Sequence, residues 1–264
     1  MMTAEDRDAL REAVQTLETP GFIARLANWI GLPLEQILKR LPAATTEMVN
    51  RAATSALERC LHVALYKLES GWRWFRSETA MKATVAATGA AGGAFGLGAL
   101  TIELPVTTSV MLRSIAEIAR AEGEDVRSPA GRVACLEVLA LGGGSVEDAS
   151  KVGYFGIRAA LAKEVSDALQ HLATRGAGRE SAPVLIRLIE AISARFGIVV
   201  SEKVAAGAVP VSGAVGSATV NTLFMDHFQD MAHGHFTVRR LERKYGAEVV
   251  RTEYDRYLEE MRRP

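Results

Sequence analysis

Two stretches of this chain carry almost no charge and are crowded with small residues, although charged side chains make up 23% of the sequence. The first runs from Ala83 to Val110 (ATVAATGAAGGAFGLGALTIELPVTTSV), and Glu103 is its only ionisable group. The second, Val204 to Met225 (VAAGAVPVSGAVGSATVNTLFM), has none. Each is about the length of a bilayer-spanning helix, roughly 20 residues. Each is also interrupted by a proline and rich in glycine. Glycine costs a helix interior about 1 kcal/mol relative to alanine, and proline about 3. Close helix packing, in lipid or within a tight hairpin, offsets that cost. Two Pro-broken, Gly-rich helical hairpins are therefore expected.

Bulk properties narrow the function classes. Lysine plus arginine equals aspartate plus glutamate, 31 of each in 264 residues. A zero net charge argues against nucleic acid as a partner, because such binding needs surplus cations to displace counterions. Cys60 and Cys135 are the only cysteines, and their spacing fits neither a metal nor a redox motif. The N-terminal sequence MMTAEDRDALREAV is amphipathic and lacks an apolar h-region, so a cytoplasmic location is expected.

Nearly every segment has helical periodicity and none alternates like a strand. The expected fold class is all-α, in one domain spanning 1–264. Within it we expect peripheral N-terminal helices over 1–80, an apolar hairpin over 81–122, a helical middle over 128–197, and a second apolar hairpin with a polar helix over 198–246. Thr3 is the expected N-cap of the first helix, with Asp6 as a weak capping-box acid. Ser128 and Pro129 are expected to open a helix that ends before Gly142-Gly143-Gly144. A last helix, Thr237 to Tyr245, precedes what reads as a charged tail. Leu104-Pro105-Val106-Thr107 faintly echoes Val209-Pro210-Val211-Ser212, a hint of duplication.

Inside the first hairpin, Glu103 and Pro105 are expected at the bend, because proline cannot donate an interior helical hydrogen bond. Pro210 would mark the matching break, and Thr107 or Thr108 would cap the outgoing helix. Gly89, Gly92, Gly93, Gly96, Gly213 and Gly216 would carry the contact between hairpins. Basic residues flank the first stretch on both sides (Arg73, Arg76 and Lys82; Arg113 and Arg120), so no charge asymmetry favours crossing a bilayer.

Ionisable groups beside apolar stretches are the leading site candidates, since a charge there must find a partner or shift its pKa. They are Glu103, Arg113, Glu117, Arg195, Glu202, Lys203, His227 and Asp230. The same groups also suit ion pairs that fix hairpin angles, and both readings stand at this point. The segment from Asp226 to His235 holds three of the five histidines. On a helix Asp226, Asp230 and His233 share a face, and His227 lies three residues before Asp230. Asp226, His227, Asp230, His233 and His235 could thus supply donors for zinc or iron. No motif otherwise calls for a cofactor: there is no P-loop, no H-E-x-x-H and no G-x-S-x-G.

Ala90-Ala91-Gly92-Gly93-Ala94-Phe95-Gly96, Ile102-Glu103-Leu104-Pro105-Val106-Thr107-Thr108 and Arg113-Ser114-Ile115-Ala116 together resemble the EcsC protein family. Cys135-Leu136-Glu137-Val138, Arg195-Phe196-Gly197, Ser201-Glu202-Lys203-Val204-Ala205-Ala206 and the stretch from Asn221 to Phe236 extend the resemblance over nearly the whole chain. It implies a bacterial protein associated with an ABC-transporter operon, and it supplies no catalytic residues. The expected function is non-enzymatic. The chain would act as an accessory protein on the inner face of the cytoplasmic membrane, or on a membrane transporter. It would bind lipid or another apolar ligand or partner through its Gly-rich hairpins. The alternative is a peptidase-like, metal-assisted hydrolase centred on Asp226–His235.

Overall fold

The structure, a computed structural model, describes residues 2–19, 22–31, 43–66, 100–143, 146–175, 182–207 and 213–263. Among the described residues the regular structure is entirely helical, with no strand. The elements are α1 (Ala4–Glu18), α2 (Phe22–Ile30), α3 (Ala43–Tyr66), α4 (Leu100–Ala121), α5 (Pro129–Leu141), α6 (Val146–Arg175), α7 (Pro183–Gly207), α8 (Gly213–Tyr245) and α9 (Ala247–Arg262). The all-α expectation holds.

The local start signals work as chemistry requires. Thr3 Oγ1 accepts the Asp6 N–H at 3.2 Å, and Ser128 Oγ accepts the Gly131 N–H at 3.0 Å with Pro129 just inside the helix. Each satisfies one of the donors that a helix start leaves unpaired. Asp6, however, does not close a capping box. Its carboxylate takes bonds from Lys244 Nζ (2.6 Å), the Tyr245 hydroxyl (2.6 Å) and Arg240 Nη1 (3.0 Å). This cluster of donors holds the Asp6 carboxyl well below the usual carboxylate range, and it fastens α1 to the end of α8.

Helix α8 is the hub. It packs against α1, α2, α4, α5, α7 and α9. Its buried side supplies Phe224, Phe228 and Phe236, and with Phe22 of α2 and Phe196 of α7 these rings form much of the core. Phe224 meets Phe22 edge-on at 5.5 Å and Phe228 at 5.2 Å between centroids, the geometry that the ring quadrupole favours. Helix α3 buries Ala52, Ala53, Ala56, Cys60 and Ala64, small side chains that suit its place against both α4 and α7.

Several expectations change. The N-terminal helices are not peripheral: Leu10, Val14, Phe22, Leu26 and Leu57 are all fully covered. Pro105 is no bend; it lies inside α4, together with Glu103 in the first turn. At this interior position proline forgoes the bond to the Thr101 carbonyl, and the helix continues through it. Thr107 and Thr108 cap nothing. They are buried within α4, and the Thr108 hydroxyl donates back to the Leu104 carbonyl at 2.7 Å. Pro210 and the Gly89–Gly96 face lie outside the described residues. The helix expected at Thr237 is the end of α8, which runs unbroken from Gly213. What reads as a charged tail is the helix α9. Its Val250, Tyr254 and Tyr257 recur at i, i+4 and i+7 and are buried, a stripe that the surrounding charges hide from composition.

Helix α6 breaks its own ladder at Gly153, whose φ of 61° and ψ of 174° are not helical. The stretch from Tyr154 onward thus has a fresh N-terminus, and Glu18 caps it by accepting the Tyr154 N–H at 3.0 Å. A carboxylate from the last residue of α1 meets the positive end of a helix dipole.

Candidate functional site

Three helices from distant parts of the chain meet at one polar knot. Lys203 Nζ, near the end of α7, lies 2.7 Å from Glu103 Oε1 in the first turn of α4. Asn221 Nδ2 of α8 donates to the same oxygen at 2.9 Å. Lys203 also stands 5.0 Å above the Phe224 ring, an attraction between cation and ring face. Burial pulls the Lys203 ammonium below its ordinary pKa, and Glu103 opposes that pull. Breaking such a pair from one side leaves a buried charge, which costs more than the pair contributes.

Glu202, one residue before, is buried at 5% exposure. Burial alone pushes its carboxyl up to about 8. Its proton therefore stays on in the folded state at neutral pH, while the unfolded chain releases it above the ordinary value of 4.5. The folded state binds more protons across that window, so this group's contribution to stability falls as pH rises from 4.5 to 8. Glu202→Gln removes the dependence. Against wild type, the variant is expected to gain several kcal/mol between pH 5 and pH 8.5, at most ~5 kcal/mol at about 1.36 per unit. Urea midpoints at the two pH values test it; a constant gap between variant and wild type refutes it.

The remaining site candidates do not join the knot. Arg113 pairs with Glu117 at 3.0 Å along α4, and Arg120 pairs with the same Glu117 at 2.6 Å. Arg195 and His227 instead converge on the end of α5. Arg195 Nε donates to the Ala140 carbonyl at 3.2 Å, and His227 Nε2 lies 3.0 Å from the Gly142 carbonyl. A carbonyl can only accept, so Nε2 carries the proton there, and Nδ1 has no partner among the described residues. His227 satisfies a carbonyl at the helix C-terminus, and Arg195 adds a second donor to the Ala140 carbonyl, which also accepts the Gly143 N–H at 3.2 Å. Asp230 binds Arg25 of α2 at 2.5 Å.

The five metal-donor candidates on α8 therefore face different surroundings. His227 is committed to α5 and Asp230 to Arg25. His233 is exposed, and Asp226 is half-buried. His235 is fully buried, with Nδ1 2.9 Å from the Tyr154 hydroxyl. At about 100° per residue, positions 226, 227, 230, 233 and 235 cannot all point one way. Among the described residues no three His, Cys, Asp or Glu side chains form a group that could hold a metal ion.

Sequence reasoning missed a second polar network. Arg158 of α6 forks onto Glu242 at 2.7 and 3.1 Å and donates to the Tyr154 hydroxyl at 3.3 Å. The same hydroxyl shares a 2.9 Å hydrogen bond with His235 Nδ1. Arg239 forks onto Glu124 at 3.1 and 2.7 Å, and Arg243 pairs with the same carboxylate. Arg240 reaches Glu122 at 2.7 Å as well as Asp6. Glu137 is buried on α5, and burial holds its carboxyl above the usual range. The available signal was Glu137 itself, one acid in the apolar run Val133–Leu141, which called for cations elsewhere.

No curated protein and no solved structure matches the chain. The model of the EcsC protein family matches residues 6–241. That match covers the knot and most of the hub helix and of the second network, so the chain belongs to the EcsC protein family.

Proposed function

We propose that the knot end of this bundle docks on a membrane surface, with residues 83–99 and 208–212 of the two apolar Gly-rich stretches as the contacting segments, and that the protein serves there as a non-enzymatic accessory. One observation carries the reading. The Lys203–Glu103–Asn221 contacts gather the start of α4, the end of α7 and the early part of α8 at a single place. In sequence, residues 83–99 of the first stretch lead into α4, and residues 208–212 of the second link α7 to α8. The helix ends that flank both segments are thereby held together. Val106, one turn beyond Glu103, adds a large apolar side chain that is 42% exposed.

Two apolar segments offer more area than either alone, and partition into a lipid interface scales with buried apolar area. No helix among the described residues is long and apolar enough to cross a membrane, and a peripheral contact needs none. A neutral Glu202 beside the knot suits such a site, because a charge brought against lipid is costly. A membrane transporter presenting an apolar surface is the protein counterpart of the same chemistry.

Flotation of the intact chain with liposomes of neutral and anionic lipids tests the proposal. Wild type is expected to float with both, since its net charge is zero. Gly92→Leu with Gly96→Leu is expected to change the floated fraction at least several-fold while the circular dichroism of the bundle stays the same. A chain that remains wholly unbound to either liposome removes the proposal.

A further inference from the structure

Helix α9 lies beyond the family-matched residues, and a single residue joins it to α8. That residue, Gly246, has φ 89° and ψ 146°, a conformation that L side chains rarely adopt. Nothing lies within 4 Å of where its Cβ would stand, so the demand for glycine comes from the backbone alone. The helical ladder is nearly continuous across this joint. The Gly246 N–H bonds the Glu242 carbonyl at 2.9 Å, and the Val250 N–H bonds the Gly246 carbonyl at 3.2 Å. Helix α9 starts without a side-chain cap. Rotation of Gly246 into helical φ/ψ would give the N–H groups of residues 247–249 acceptors at 243–245 and fuse α8 with α9.

The groove that receives α9 is built largely by other parts of the chain. Tyr254 stacks on Tyr154 at 5.7 Å and donates its hydroxyl to Glu18 at 2.8 Å. Arg251 lies 4.2 Å over Phe155, and Arg11 of α1 lies 4.7 Å over Tyr257. These partners belong to α1 and α6. They would receive the same helix equally well from a second molecule.

We propose that α9 exchanges between two copies of this chain, each α9 filling the α1–α6 groove of the other while Gly246 turns helical. The contacts that α9 makes with α1 and α6 recur in the exchanged pair. The two forms differ in the conformation of two hinges and in the cost of association. The hinge is a single residue, too short to let α9 reorient freely, and glycine there can adopt either conformation.

Gly246→Ala sharpens the preference. A side chain disfavours the left-handed conformation by about a factor of ten per chain, so the dimer association constant is expected to rise by ~100-fold, two hinges being released together. Light scattering after size exclusion reads it on full-length protein. Replacing Gly246 by a flexible five-residue Gly/Ser linker lets α9 fold back without strain and is expected to restore the monomer. A Gly246→Ala chain that stays monomeric with Tyr254 still buried overturns the proposal. So does a dimer that survives the long linker, since it would form elsewhere. Should Gly246→Ala fail to refold, wild type refolded at high concentration answers instead. A dimer that reverts on dilution supports exchange, and monomer alone overturns it.

Discussion

Gly143→Ala is expected to destabilise the protein by about 3 kcal/mol or more, the upper range of overpacking effects. A Cβ at this position would lie 2.1 Å from the Arg195 carbonyl oxygen and 2.4 Å from its carbon. Those are backbone atoms of α7 and cannot rotate aside. The end of α5 would have to withdraw, and the carbonyls of Ala140 and Gly142 would leave Arg195 and His227. At roughly 2–4 °C per kcal/mol for a chain of this size, the melting temperature should fall by about 6 °C or more. Gly197→Ala is the matched control. Its Cβ would meet only the Asn50 Oδ1 at 3.0 Å, the tip of an exposed side chain, and alanine is the better helix former. That variant should stay within about 1 kcal/mol of wild type. If thermal melts give the two variants equal losses, the close approach of α5 to α7 is not what fixes this corner.

Acid should loosen the bundle through its buried imidazoles well before its carboxylates titrate. Burial lowers the His227 pKa to about 4 from 6.5, the Gly142 carbonyl opposing the shift, and burial also holds His235 well below 6.5, with Arg239 and Arg158 adding to it. Both rings are neutral in the folded state. As pH falls through 6.5 the unfolded chain takes up protons that the folded chain refuses, so stability drops until the folded pKa is reached. For His227 alone the window from 6.5 to 4 amounts to roughly 3 kcal/mol at about 1.36 per unit. Glu202 works the other way down to 4.5, which masks part of the loss in wild type. Urea midpoints between pH 7.5 and 4.5, in the Glu202→Gln background with and without His227→Gln and His235→Gln, separate the contributions. The histidine-bearing chain should lose several kcal/mol more than the chain lacking both. Parallel curves would mean that neither ring is held neutral by burial.

Local chemistry was readable in the sequence where the deciding partners lie a few residues apart. Thr3, Ser128 and Pro129 set helix starts through neighbours three residues on, and those starts fall where the residues place them. Ion pairs such as Arg113 with Glu117 follow from helical spacing. The pairing of Glu103 with Lys203 spans 100 positions. The sequence marked both as charges stranded near apolar stretches, but only the fold joins them. Pro105 misled because proline reads as a break, yet α4 continues through it with α3, α5 and α8 packed against it. His227 and His235 look alike in the segment Asp226–His235, yet one bonds a backbone carbonyl of α5 and the other a tyrosine of α6. Their difference is eight residues of helical rotation, read against neighbours that periodicity does not reveal. Helix α9 hid because three apolar residues among many charges look like a solvated tail until a groove exists to bury them.

The position of the hub helix has a consequence for biosynthesis. A ribosome completes α1 to α7 before residues 213–245 are made, yet α1, α2, α4, α5 and α7 all bury surface against that helix. The nascent chain thus carries the apolar faces of Leu10, Val14, Phe22 and Phe196 without the element that covers them. Contacts of such long sequence separation form slowly, and exposed apolar surface in the interval favours aggregation. Chains stopped before Gly213 should therefore require a chaperone to stay dispersed, whereas release of the finished chain lets α8 insert and close the bundle in one late step.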